Sequence, residues 1–301
     1  MKKAVVDIGT NTIHLIIAEI LENQKFTVLK KVSKFIRIAR DGTDPISEES
    51  IQRALYCLHD YSEIINQYAC EVVEFIGTEA LRSATNKDEI LLRIKDVTGY
   101  DVRIVSGDEE AQFIYLGSKM ALPEMEGNFM IMDIGGGSVE FIIANQKKLI
   151  WKKSYKIGVQ YLFTYFNPSD PISQEEIGHI SKYLFDQLEE LRIMLNKFPI
   201  RTLVGASGSF EIVAGLTNTG FFDKRYAIIN QDDFIYTYDK WVFTTLDQRL
   251  TNNHINPDRA ELLVMGLLLM KIVYDIVRPP HLYVSNYALR EGVLTEINSM
   301  V

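Results

Sequence analysis

One tripeptide, Asp-Ile-Gly, ends two separate apolar runs, first at Asp7 and again at Asp133. In the first copy residues 4–8 lead into Gly9-Thr10-Asn11-Thr12, and further β-like runs follow over residues 13–20 and 26–32. In the second copy residues 128–133 lead into Gly135-Gly136-Gly137-Ser138, with strands predicted over 139–144 and 149–155. Short apolar runs bounded by turn residues read as buried strands. A strand meander that recurs with the same turn chemistry is most economically an internal duplication, so the chain is expected to build one plan twice.

The segments after each meander fit that plan. Ser47 is placed to cap a helix, with Glu48 and Glu49 in its first turn and Ile51, Ala54, Leu55, Leu58 and Ile65 at helical spacing. A strand at 72–77, helices at 79–84 and 87–98, a strand at 101–105 and a helix from Asp108 follow. Beyond the second meander the pattern predicts helices at 159–166 and 174–197, a strand at 201–206, a helix at 209–216, a helical stretch at 257–277, a strand at 282–285 and a terminal helix from Tyr287. Strand and helix alternate in both halves, which is α/β. A chain of 301 residues allows about two domains, and residues 121–127, with Pro123, are the best crossing between them.

A net charge of -8 gives no general attraction to nucleic acid or an anionic membrane, so an anionic ligand has to be held by local geometry. The first apolar run is broken at once by Asp7 and Gly9, which argues against a signal peptide. The most apolar stretch, residues 260–277, contains Glu261, Lys271 and Asp275 and reads as a buried helix. Cys57 and Cys70 lack metal-ligand spacing and are expected as reduced thiols of a cytosolic protein. His14 has no partner histidine nearby, and the aromatic residues over 155–166 are expected in the core.

The loops carry the chemistry. Small residues let backbone N–H groups approach an anion, and the amides and hydroxyls of Gly9, Thr10, Asn11 and Thr12 can hold phosphate oxygens without a lysine. Gly135, Gly136 and Gly137 remove side-chain obstruction altogether, and Ser138 adds a hydroxyl. The aspartate ending each strand, Asp7 or Asp133, can hold Mg²⁺ directly or through water. One Asp-x-Gly alone is equally a common hairpin turn; two with matching flanks point to phosphate. A third segment, Gly205-Ala206-Ser207-Gly208-Ser209, joins a strand to a helix, where Gly205, Ser207 and Gly208 could present amides to an anion or nucleotide. A turn whose glycines serve only packing explains it as well.

Six segments in order closely resemble the exopolyphosphatase and guanosine pentaphosphate phosphohydrolase (Ppx/GppA) family. They are Asp7 to Thr12, Gly77-Thr78-Glu79-Ala80-Leu81-Arg82, Ser106-Gly107-Asp108-Glu109-Glu110-Ala111, Asp133 to Glu140, Gly205-Ala206-Ser207-Gly208 and Ala288-Leu289-Arg290-Glu291-Gly292. The resemblance runs from about residue 4 to the C-terminus. It implies an α/β fold of the actin, sugar kinase and Hsp70 type: two duplicated actin-like (ribonuclease H-like) domains flanking an interdomain cleft, residues 1–122 and 123–286, with a helix over 287–301 packing back on the first. Because long members carry further C-terminal domains, the short two-domain form is implied.

The resemblance also assigns roles. The family's water-activating glutamate falls on Glu110 and its phosphate-reaching arginine on Arg82, while its acidic residues near the second loop fall on Asp133 and Glu140, expected with Asp7 to hold Mg²⁺ (or Mn²⁺). Local sequence offers Glu110 a plainer reading, because acidic residues collect in helical first turns. The implied activity is release of terminal phosphate from inorganic polyphosphate or pppGpp in the cytoplasm, with no nucleic-acid or membrane partner and with a homodimer allowed. The alternatives are an ATP-dependent small-molecule kinase of the same superfold and a catalytically silent nucleotide or polyphosphate sensor. The acidic segment around Glu110 counts against the kinase.

Overall fold

The computed structural model describes residues 1–21, 25–40 and 44–296. By contacts the chain forms two units. Met1–Gly117, Gly135–Gly137 and the described residues from Leu289 on make the first, and Ser118–Ile134 with Ser138–Ala288 make the second.

The first unit is built on β1 (Lys2–Ile8), β2 (Thr12–Ile20) and β3 (Phe26–Phe35), an antiparallel meander, followed by α1 (Glu48–Tyr68), β4 (Val72–Gly77), α2 (Glu79–Ser83), α3 (Lys87–Thr98), β5 (Val102–Ile104) and α4 (Gly107–Ala121). Its open sheet has the order β3-β2-β1-β4-β5, with β4 parallel to both β1 and β5. Alternate residues of β1 and β2, among them Ala4, Val6, Ile8, Ile13, Leu15 and Ile17, meet the α1 stripe of Ile51, Ala54, Leu58 and Ile65 in one core. Each large apolar side chain so buried stabilises the fold by about 1.5–3 kcal/mol. The expected cap is present: Ser47 Oγ accepts from Ser50 N–H at 3.4 Å, a bond worth about 1 kcal/mol.

The second unit repeats the plan. It holds β6 (Phe129–Ile134), β7 (Val139–Ala144), β8 (Leu149–Tyr155), α5 (Val159–Phe166), α6 (Gln174–Gln187), α7 (Glu189–Lys197), β9 (Thr202–Ala206), α8 (Gly208–Leu216), β10 (Tyr226–Ile229), α9 (Gln231–Trp241), α10 (Leu246–Leu250), α11 (Pro257–Ala260), α12 (Leu263–Val277) and β11 (His281–Ser285). From β8 to β11 the sheet order β8-β7-β6-β9-β11-β10 matches the first sheet strand for strand, with β10 added antiparallel at the edge. The last element, α13 (Leu289–Glu296), belongs with the first unit and lies on α4, where a Cβ on Gly292 would stand 1.9 Å from the Phe113 carbonyl oxygen. Residues 297–301 of the expected terminal helix lie outside the described residues.

Several expectations need correction. The helix expected over 174–197 is interrupted at Leu188 (φ −92°, ψ 18°), which ends α6 and opens α7. Leu184, Leu188 and Leu191 all remain buried, so the apolar stripe continues across the break and periodicity could not reveal it. The stretch at 257–277 likewise divides into α11 and α12, and β10, α9 and α10 were not read at all. The aromatic residues near α5 are not all core: Tyr155 is buried, but Tyr161 and Tyr165, four apart on the outer face, are exposed and stack at 5.9 Å. Among the described residues, no helix is long and apolar enough to cross a membrane.

Candidate active site

The first loop closes tightly. Gly9 N–H donates to Thr12 O at 3.1 Å, and the Asn11 carbonyl accepts from Ile36 and Arg37 N–H at 2.7 and 2.8 Å. Thr10 and Asn11 are buried, and Asn11 Oδ1 has no hydrogen-bond partner among the described residues. The Gly135–Gly137 tip, which groups with the first unit, explains its own glycines. A Cβ at Gly136 would come within 2.8 Å of the Asn11 amide and 2.9 Å of Thr10 Cβ, and one at Gly137 within 2.8 Å of Thr10 Oγ1 and 2.9 Å of Glu79 Cγ. The two glycine-bearing loops therefore touch, and only bare backbone fits between them.

Helix α2 follows directly from β4, whose end is tied to β1 by Thr78 N–H donating to Ile8 O at 3.3 Å. One turn later Arg82 is held on several sides. Its Nε and Nη2 donate to Glu79 Oε2 at 3.1 and 2.6 Å, and its Nη1 donates to Glu110 Oε2 at 3.0 Å and to the Val105 carbonyl at 2.6 Å. Burial works against the guanidinium charge, but Glu110 and Glu79 outweigh it and raise the arginine's pKa. The resemblance gives Arg82 and Glu110 separate roles and Glu79 none, since Glu79 resembles any acidic residue in a helical first turn.

The start of α4 separates two adjacent glutamates. Glu109 accepts from Ser106 N–H and Oγ–H, both at 2.9 Å, and from Arg103 at 2.8 Å. Those bonds, the Ser106 backbone first, hold its carboxyl down at about 2. The plain first-turn reading thus describes Glu109. Its neighbour Glu110 is buried and meets Arg82 instead.

In the second unit Asp133 ends β6 opposite Glu140 of β7, and Ser138 is buried at the start of that strand. Glu140 Oε1 accepts from Ser154 Oγ at 2.6 Å. At the third segment, Ser207 has φ 85° and ψ 169°, a region that favours glycine, and its Oγ is buried with no hydrogen-bond partner among the described residues. The glycines there answer to packing: a Cβ at Gly205 would stand 2.0 Å from the Phe210 ring, and one at Gly208 would fall 1.0 Å from Arg259 Nη1. Arg259, which drew no attention in the sequence, therefore lies directly on this turn.

Among the described residues no three histidine, cysteine or carboxylate groups gather as a metal cluster. Mg²⁺ does not need one, since it is commonly held by one or two carboxylates together with waters and substrate phosphate oxygens. Hard carboxylate donors at strand ends, as in Asp7 and Asp133, suit a metal of that kind.

These sheets and loops are those of a known class. The model of the Ppx/GppA phosphatase family matches residues 16–300, and the chain belongs to that family, with its α/β, actin/Hsp70-like architecture of open sheets and its phosphohydrolase activity. Among solved structures, an exopolyphosphatase from Cytophaga hutchinsonii is 31% identical with a TM-score of 0.96, covering 100% of this chain and 99% of its own. A Ppx/GppA family member from Aquifex aeolicus is 26% identical with a TM-score of 0.82, over 100% and 98%. The guanosine-5'-triphosphate,3'-diphosphate pyrophosphatase of Pseudoalteromonas atlantica is 25% identical over 97% of this chain, which spans only 57% of that relative's length.

Proposed function

We propose that this protein releases terminal phosphate from inorganic polyphosphate, with pppGpp as the second substrate of the same site, in the cytoplasm. The observation that carries the reading is the half-buried Arg82–Glu110 contact at 3.0 Å, beside loops so close-packed that Gly137 has no room for a Cβ next to Thr10. An arginine fork suits phosphoryl oxygens, and a carboxylate beside it can take a proton from water.

In the proposed reaction, amides of Gly9 to Thr12 and of Gly135 to Ser138, together with Arg82, grip the terminal phosphoryl group. Glu110 accepts a proton as a water oxygen bonds to phosphorus and the bridging P–O bond breaks toward the shortened chain. The products are inorganic phosphate and a chain one unit shorter. Asp7, Asp133 and Glu140 are the carboxylates that would hold Mg²⁺ or Mn²⁺, which when bound neutralises phosphate charge. Gly205, Ser207 and Gly208 are proposed to meet more distant phosphates.

Polyphosphate is preferred because the Cytophaga hutchinsonii relative named for it matches this chain over nearly its whole length, whereas the pyrophosphatase relative is much longer. Comparing kcat/KM for short polyphosphate, long polyphosphate and pppGpp with Mg²⁺ tests the reading. A higher value for polyphosphate supports it, while turnover of pppGpp alone reverses the preference. An acceptor-dependent ATP consumption would mark a kinase, and binding of both compounds without turnover would mark a sensor.

A further inference from the structure

We propose that Glu79 is a positioning residue for this hydrolysis: it anchors one edge of Arg82, so that substrate phosphate gains the arginine only by displacing Glu110. The inference rests on the hydrolase reading above and adds a residue to it.

A guanidinium has five N–H donors. Four are already used in Arg82, two on Glu79 and one each on Glu110 and the Val105 carbonyl, which leaves a single N–H on Nη2. One N–H cannot make the paired bonds by which arginine grips a phosphate. Two carboxylates around one cation also give the trio a net negative charge, which opposes an incoming anion. A phosphate that grips Arg82 with paired bonds must therefore displace one of its acceptors, and only the loss of a carboxylate also relieves the charge repulsion.

The two carboxylates are not equally easy to remove. Glu79 lies on α2 itself, three residues before Arg82, and takes both Nε and Nη2 on one oxygen. Its other oxygen accepts from Ser83 Oγ at 2.5 Å, so the carboxylate is fixed within its own short helix. Glu110 comes from a separate element, α4, and holds Arg82 through Nη1 alone. The contact that yields is Glu110. Glu79 is also at the phosphate loop, since a Cβ on Gly137 would stand 2.9 Å from its Cγ.

The displacement has a chemical consequence. A carboxylate that loses a neighbouring cation binds a proton more tightly, so Glu110 becomes a better base at the moment phosphate takes its place on Arg82. Base strength is thereby tied to substrate occupancy.

Tripolyphosphate with Mg²⁺ is the probe. Glu79→Gln is expected to lower kcat by about 30-fold or more with KM within about threefold, because Arg82 then stays with Glu110. Glu79→Asp should recover part of kcat, and Ser83→Ala, which removes only the hydroxyl that fixes Glu79, should lower kcat by about threefold. A Glu79→Gln protein with unchanged kcat and a lower Tm, or with only KM raised, overturns the proposal. A crystal structure with tripolyphosphate should show Arg82 still on Glu79 and parted from Glu110. Turnover with Glu110 still bonded to Arg82 in that complex sinks this inference alone, whereas a wild type that neither binds nor hydrolyses tripolyphosphate or pppGpp sinks the hydrolase reading with it.

Discussion

Asp133 faces Glu140 across the β6/β7 hairpin at the same register position at which Asp7 faces His14 across β1/β2. The correspondence extends one strand further: Glu140 pairs with Ser154 on β8 and His14 with Ser33 on β3, and each serine hydroxyl meets its partner's side chain, at 2.6 and 2.7 Å. The duplicated sheets thus keep one row of three positions and change the middle residue from imidazole to carboxylate. His14 also lies 3.3 Å from Arg290 Nη1.

If Glu140 serves Mg²⁺ and His14 does not, the two substitutions should separate. Glu140→Gln is expected to raise the Mg²⁺ concentration for half-maximal phosphate release by about 10-fold or more. His14→Gln should leave that concentration within about twofold. A magnesium titration of each variant decides it, and equal shifts would remove Glu140 from the metal's ligands.

Arg82 is expected to tolerate no substitute. Lysine is a point charge that cannot serve two carboxylates and a carbonyl in fixed directions, so Arg82→Lys should cut kcat/KM by about 100-fold. Arg82→Ala should in addition lower stability by about 2 kcal/mol, because Glu79 and Glu110 are left together without their cation. Chemical denaturation and steady-state kinetics measure the two effects separately.

The close approach of the loops makes Gly136 and Gly137 sensitive to a single methyl group. Gly137→Ala should force Thr10 or Glu79 to move, costing about 1–3 kcal/mol of stability and weakening tripolyphosphate binding. Gly178→Ala, inside α6 where a Cβ would meet nothing within 4 Å, is the control: it should leave tripolyphosphate binding unchanged and raise stability by about 0.5–1 kcal/mol in calorimetry.

What could be read from sequence followed local rules. Asp7 and Asp133 close strands that bury almost wholly, and Ser47 announces its helix through a side-chain cap. The rest depended on distant partners. Glu79 reads as one more acidic residue until Arg82 is seen lying across it, and Arg259 stands far along the chain from the Gly208 turn that it covers. The exposed stack of Tyr161 and Tyr165 was misread because aromatic content does not say which helix face is outward. The missed β10 has only four residues, too few for a period to declare itself.

Glu109 gives a stability effect with a known sign. Its folded carboxyl lies at about 2, below the roughly 4.3 of an unfolded glutamate. Its contribution is therefore complete above the unfolded value and is lost as pH falls from about 4.5 toward 2. The side chain is 46% exposed, so solvent screening limits the gain to no more than about 1 kcal/mol. Glu109→Gln should lower Tm slightly at pH 7, with the difference from wild type closing as pH approaches 2.

Hydrolysis in H₂¹⁸O tests the central claim most directly. With tripolyphosphate and Mg²⁺, the released phosphate should carry one oxygen from solvent and the shortened chain none. Glu110→Gln should lower that release by about 10²–10⁴-fold while still binding tripolyphosphate. Absence of labelled phosphate from both tripolyphosphate and pppGpp, or undiminished release by Glu110→Gln, would contradict the assignment of Glu110 as the base that delivers water to the terminal phosphorus.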